Sequence, residues 1–112
     1  MIIHLLHSPA TSDQSDEMLK TLKTYIKLAV DIKLGILAGG GVMHADCEAI
    51  LLDAGCKQVD IWGANWDPVT KEVRYESLIN IRPRQSNPSM EILDATIRSH
   101  VEEIVKRLLG EI

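Results

Sequence analysis

The hydrophobic period of this chain changes at Ile26. Upstream, Met18, Leu19, Leu22, Tyr25 and Ile26 recur at helical spacing, with Lys20 and Lys23 off the stripe. Downstream, Leu28, Val30 and Ile32 alternate with Lys27, Ala29 and Asp31. That is the period of a strand. A short helix that leads directly into strands in series argues for an α+β fold and against a bundle or a βαβ array.

The rest of the chain fits this frame. Ile2 to Leu6 reads as a short strand. Thr11 and Gln14 have capping-box spacing, and the spacing predicts a helix over about 12–25. Lys33-Leu34-Gly35 reads as a tight turn. Ile36-Leu37-Ala38 opens a second strand, which Gly39-Gly40-Gly41 interrupts as a bulge or a close backbone approach. In Val42 to Asp53, the odd positions Met43, Ala45, Cys47, Ala49 and Leu51 are all apolar, which predicts a strand. Val59, Ile61 and Gly63 continue the alternation. Asp67 to Glu72 is a hairpin-type loop, and 73–82 reads as a long strand antiparallel to its predecessor. Pro83 to Pro88 is an irregular loop, and Met90-Glu91-Ile92 a further short strand. Asp94 then caps a helix with Ile97, Val101, Ile104, Val105 and Leu108 on its stripe, closed by Gly110.

The expected architecture is an antiparallel meander of about five to six strands. An N-terminal and a C-terminal helix cover one face. The other face is open or covered by a partner. With 112 residues, the chain is expected to form a single domain, 1–112. Phe is absent, so the core must be largely aliphatic.

Charge and composition narrow the function classes. The formal net charge is −4, without a basic stripe, which argues against a general nucleic-acid binder. No apolar run approaches the ~20 residues a membrane span needs. Met1 to His7 lacks a basic flank and meets Ser8-Pro9 early, so a signal peptide is not expected. Cys47 and Cys56 have no CxxC spacing, and reduced thiols in a cytoplasm are the expectation. The glycine run is neither a P-loop nor a dinucleotide fingerprint.

Three segments could carry chemistry. On a strand, His44, Asp46 and Glu48 share one face, about 6–7 Å apart from one to the next. Such a row could bind a divalent metal, with Asp60 or Asp31 as a fourth ligand. It could equally pair a general base with an orienting carboxylate, or form a polar face bridged to Arg82 or Arg84. Asp60 to Asp67 places Trp62 and Trp66 near Asp60 and Asn65, as a ligand wall, a dimer contact or core filling. In Asn80 to Asn87, Arg82 and Arg84 could grip an anion, with Asn80 beside them, or Arg82 could pair inside the domain with Glu48, Asp46 or Asp60.

Much of this sequence also resembles a known family. The residues that carry the likeness include Lys27-Leu28-Ala29-Val30-Asp31, Met43-His44-Ala45-Asp46-Cys47-Glu48, Asp60-Ile61-Trp62-Gly63-Ala64-Asn65, Asn80-Ile81-Arg82-Pro83 and Ser89-Met90-Glu91-Ile92. They resemble a family of small bacterial proteins, a domain of unknown function. Gly55-Cys56 and Asp94-Ala95 depart mildly from that pattern. The resemblance implies a single bacterial domain and supplies no activity. Three functional expectations follow. One is a binding or assembly module, a homodimer joined through the sheet. Another is a divalent-metal protein or small hydrolase built on His44, Asp46 and Glu48, with Asp60 and Arg82 as helpers. The third is a regulatory partner of another protein.

Overall fold

A computed structural model describes residues 1–110, so the last two positions of the expected 1–112 domain lie outside it. Among the described residues, five strands form one antiparallel sheet: β1 (His4–Leu6), β2 (Ile26–Asp31), β3 (Ile36–Gly39), β4 (Ile61–Asp67) and β5 (Glu72–Arg74). Their order is β1-β3-β2-β4-β5. Three α-helices accompany them: α1 (Ser12–Leu19), α2 (His44–Asp53) and α3 (Ala95–Leu109). The fold is α+β, with the terminal helices α1 and α3 on one face as the sequence leads one to expect.

The alternation of β2 explains the layering. Leu28 and Val30 point to the side where Met18 of α1 and Val101, Val105 and Leu108 of α3 pack, together with Leu37, Trp62 and Trp66. Each fully buried aliphatic side chain of this kind contributes roughly 1.5–3 kcal/mol. Ala29 points the other way and meets Ala38, Ile61, Cys47 and Leu51. The small Ala29 and Ala38 let α2 lie close on that face, which is therefore covered by the chain itself near β2 and β3.

The caps behave as their sequence spacing suggests. Thr11 Oγ1 accepts from Gln14 N–H at 3.2 Å, and Gln14 Oε1 accepts from Thr11 N–H at 2.9 Å. Asp94 Oδ1 accepts from the N–H groups of Thr96 and Ile97. The first helix is shorter than expected. It ends at Leu19, and Lys23 takes a left-handed φ of 69° that no helix continues through.

Two larger corrections concern the middle of the chain. Residues 44–53 form a helix, not a strand. Ala45, Ala49, Leu51 and Leu52 favour helix, and Cys47 and Leu51 are its buried i, i+4 pair. Gly40, at φ 107°, turns the chain out of β3 toward α2; a Cβ there would stand 2.4 Å from the Ile2 carbonyl. The expected strand over 73–82 is only the three-residue β5, a bridge between Glu76 and Glu91, and a 3₁₀ turn at Leu78–Asn80. What replaces it is a side chain. Asn80 is fully buried, and its carboxamide bonds both the N–H and the carbonyl of Gly63, on the part of β4 beyond its β5 pairing.

Candidate functional site

The start of α2 stands beside the C-terminal half of β4. Between them, and bounded by β5 and the 3₁₀ turn after it, lies a cavity of about 560 Å³. That volume is in the range of small-molecule sites. Tyr25, Met43, Trp66, Leu78, Ile79 and Met90 supply apolar walls. Lys27, His44, Asn65, Asp67, Arg74 and Glu76 supply polar groups. Met43 is 53% exposed and Leu78 65%, so the rim is apolar and open to solvent.

His44 is the most constrained polar group in this cavity. Its Nε2 lies 3.0 Å from the Ala64 carbonyl and 2.9 Å from Asn65 Oδ1. Asn65 Nδ2 donates to the Glu76 carbonyl at 3.2 Å, which turns Oδ1 toward the imidazole. Both partners of Nε2 are acceptors, so Nε2 carries the proton and Nδ1 holds a lone pair. Burial lowers the His44 pKa below its ordinary 6.5. The bonds to Asn65 and Ala64 oppose that shift, and the nearby Lys27 charge adds to it. The ring is neutral at pH 7, and its Nδ1 has no hydrogen-bond partner among the described residues.

The His-x-Asp-x-Glu residues do not form the row expected of a strand. On the helix, His44 and Glu48 share the inner face at i, i+4, and Asp46 leaves it. Asp46 Oδ2 accepts from Met43 N–H at 3.1 Å and closes the helix start. Glu48 Oε2 meets Arg82 Nη2 at 3.5 Å. Each of the three is thus engaged separately. The described residues contain no group of three or more His, Cys, Asp or Glu side chains that could hold a metal ion.

The other sequence candidates divide between cavity and framework. Asn65 is in the cavity. Asn80 is framework, bonded to Gly63, Tyr75 and Met90. Arg82 is also framework. Its guanidinium is 9% exposed and donates to the carbonyls of Ile79 and Gln58, to Gln85 and to Glu48. It also lies 4.9 Å from the Trp62 ring centroid. Trp62 itself is buried against α1 and α3, away from the cavity lining. Asp60 ends a 3₁₀ turn, and its carbonyl accepts from Ile32 N–H. Cys47 donates to the Lys27 carbonyl at 3.5 Å, and burial pushes its thiol up to about 11, so it is no nucleophile.

Sequence reasoning passed over Lys27, Tyr25, Arg74, Glu76, Leu78 and Met90. A signal existed for two of them. Lys27 and Arg74 are both direct cross-strand partners of Asn65, but that register is legible only once β2, β4 and β5 are aligned.

A family described as a protein of unknown function, DUF5674, matches residues 4–108. The chain belongs to this family. The matched span runs from β1 into α3 and contains every residue that lines the cavity. No curated protein and no solved structure matches the chain. Among the described residues, no helix is long and apolar enough to cross a membrane.

Proposed function

We propose that this DUF5674 chain is a single-domain binding module, bacterial and cytoplasmic, that takes a small molecule in the cavity between α2 and β4–β5. The observation that carries this reading is the His44 imidazole. Ala64 and Asn65 hold it in one tautomer, and a free Nδ1 is left in a cavity walled in large part by Tyr25, Met43, Trp66, Leu78, Ile79 and Met90. A neutral, oriented acceptor of this kind suits a ligand that presents an O–H or N–H group. The apolar walls suit a hydrophobic body of modest size. The same Nδ1 could act as a general base, but among the described residues no Cys lines the cavity and no activated hydroxyl stands beside the ring, and binding is the function the geometry supports best.

The test uses the whole chain and two-dimensional amide and imidazole NMR spectra. A panel of small aromatic and aliphatic alcohols, acids and amines is titrated in. Binding in the cavity shifts signals of His44, Asn65, Leu78 and Met90 together. Ala45 is exposed and lines the cavity, so Ala45→Phe fills the space from the helix surface with little strain on the core. It should abolish the shifts while the melting temperature changes by only a few degrees. Shifts elsewhere, or shifts that survive Ala45→Phe, count against the cavity.

A further inference from the structure

The cavity floor has a charge pattern that the sequence does not display. Lys27 on β2 pairs in register with Asn65 on β4, and Asn65 pairs with Arg74 on β5. Direct cross-strand partners point to the same side of a sheet. Lys27, Asn65 and Arg74 therefore form one row across three strands, on the face that α2 and His44 overlie. All three line the cavity.

The two ends of this row differ. Lys27 is half-buried on a central strand, within electrostatic reach of His44. Its ammonium makes no hydrogen bond or ion pair among the described residues. Arg74 is exposed on the edge strand. The cavity also contains two carboxylates, and both belong to the outer end. Asp67 turns back on its own loop, where Oδ1 accepts from Thr70 and Val69 N–H; those bonds, with the charge of the nearby Arg74, hold its carboxyl below the usual range. Glu76 is exposed beyond β5. Water and salt screen charges at the mouth more than at the inner end. The inner end thus holds a cation without a counter-charge, beside a neutral imidazole.

The geometry points to a small carboxylic acid with an apolar body as the ligand class. Its carboxylate would lie on the Lys27–Arg74 row and its hydrophobic part against Leu78, Ile79 and Met90, and a hydroxyl or amide N–H on that body would be the donor that the His44 Nδ1 accepts. This rests on the cavity being a binding site and adds the charge of the ligand. A charge-assisted bond to a partly buried ammonium gives such an acid a preference of about tenfold or more over a neutral analogue.

Three probes with one body and different heads test it: 3-phenylpropionate, 3-phenyl-1-propanol and 3-phenylpropylamine. Each is titrated into the full chain at low salt, and the dissociation constant is read from the Asn65 and His44 signals. The acid is expected to bind at least about tenfold more tightly than the alcohol, and the amine most weakly. Lys27→Met should reduce the acid to the affinity of the alcohol. Arg74→Gln, on the exposed edge, is the second variant, expected to weaken the acid by a smaller factor without disturbing the fold. If the alcohol or amine binds as tightly as the acid, the anion preference is overturned and the cavity reading stands. If the acid keeps its preference in Lys27→Met, the assignment to Lys27 is overturned. If none of the three moves His44 or Asn65, both the anion preference and binding of this body in the cavity are overturned.

Discussion

Asn80 takes the place of a strand beside Gly63. Its Oδ1 accepts from Gly63 N–H at 2.8 Å, and its Nδ2 donates to the Gly63 carbonyl at 3.0 Å. The same Nδ2 reaches the carbonyls of Tyr75 and Met90. One side chain therefore pairs the part of β4 that β5 does not cover, and ties the 75–90 segment to it. Removing the amide leaves several buried backbone groups unsatisfied. Asn80→Ala should destabilise the protein by about 3 kcal/mol in urea unfolding. Asn80→Asp should be no milder, because it keeps the acceptor for Gly63 N–H but loses every donor. A cost below about 0.5 kcal/mol for Asn80→Ala would mean the segment is held by other contacts.

Arg82 and Glu48 should behave unequally. Both are largely buried, but Arg82 has backbone partners at Ile79 and Gln58 in addition to the 3.5 Å contact with Glu48. Burial disfavours the guanidinium charge, and Glu48 opposes that. Arg82→Ala should therefore cost about 3 kcal/mol, within the range for removing one partner of a buried pair. Glu48→Gln should cost less, since its amide oxygen still accepts from Arg82. Equal costs for the two, measured by denaturant unfolding, would contradict this division.

The stability of the protein should depend on His44 at mildly acidic pH. Its pKa in the folded state lies below 6.5, chiefly because burial disfavours the charged ring. As pH falls below about 6.5, the unfolded chain takes up a proton that the folded chain refuses. Stability is then lost, and continues to fall until the lowered folded pKa is passed. Above about 7 this contribution is flat. His44→Gln should lack that slope, so the difference between it and the native chain should vary with pH between 5 and 7. The same difference at every pH in that window would show that His44 titrates normally.

Neither thiol should be reactive in the folded chain. Cys47 is fully buried and Cys56 is 8% exposed, and burial pushes each up to about 11. Thiolate is the reactive form, so labelling by an aromatic disulfide at pH 8 should be slow for both. For Cys47, packed under α2 against Ala29 and Ala38, the rate should follow global unfolding. Rapid labelling of Cys47 in native buffer would indicate that α2 opens independently.

The sequence was most legible where one period dominates. Leu28 and Val30 mark β2, and the Thr11–Gln14 and Asp94 caps mark helix starts. It misled where two periods coexist. From Ala45 to Leu51 every odd residue is apolar, yet Ile50 and Leu52 are apolar too, and a buried pair at Cys47 and Leu51 serves a helix equally well. That choice decides the site. A strand aligns His44, Asp46 and Glu48, whereas a helix keeps His44 with Glu48 and sends Asp46 to the helix start. The pairing of Arg82 with Glu48 was among the sequence expectations, but the role of Asn80 and the backbone bonds of Arg82 were hidden for a different reason. Those bonds reach backbone groups distant in sequence, Gly63 for Asn80 and Gln58 for Arg82, and no local pattern encodes them.

The tautomer and charge of His44 are the most direct measure of a neutral acceptor held in the cavity. Long-range nitrogen–proton NMR of the imidazole at pH 7 reads both. The expected result is a protonated Nε2 and an unprotonated Nδ1, with a ring that remains neutral down to below pH 6.5. A ring protonated on Nδ1, or one that is cationic at pH 7, would contradict it and remove the acceptor on which the binding function rests.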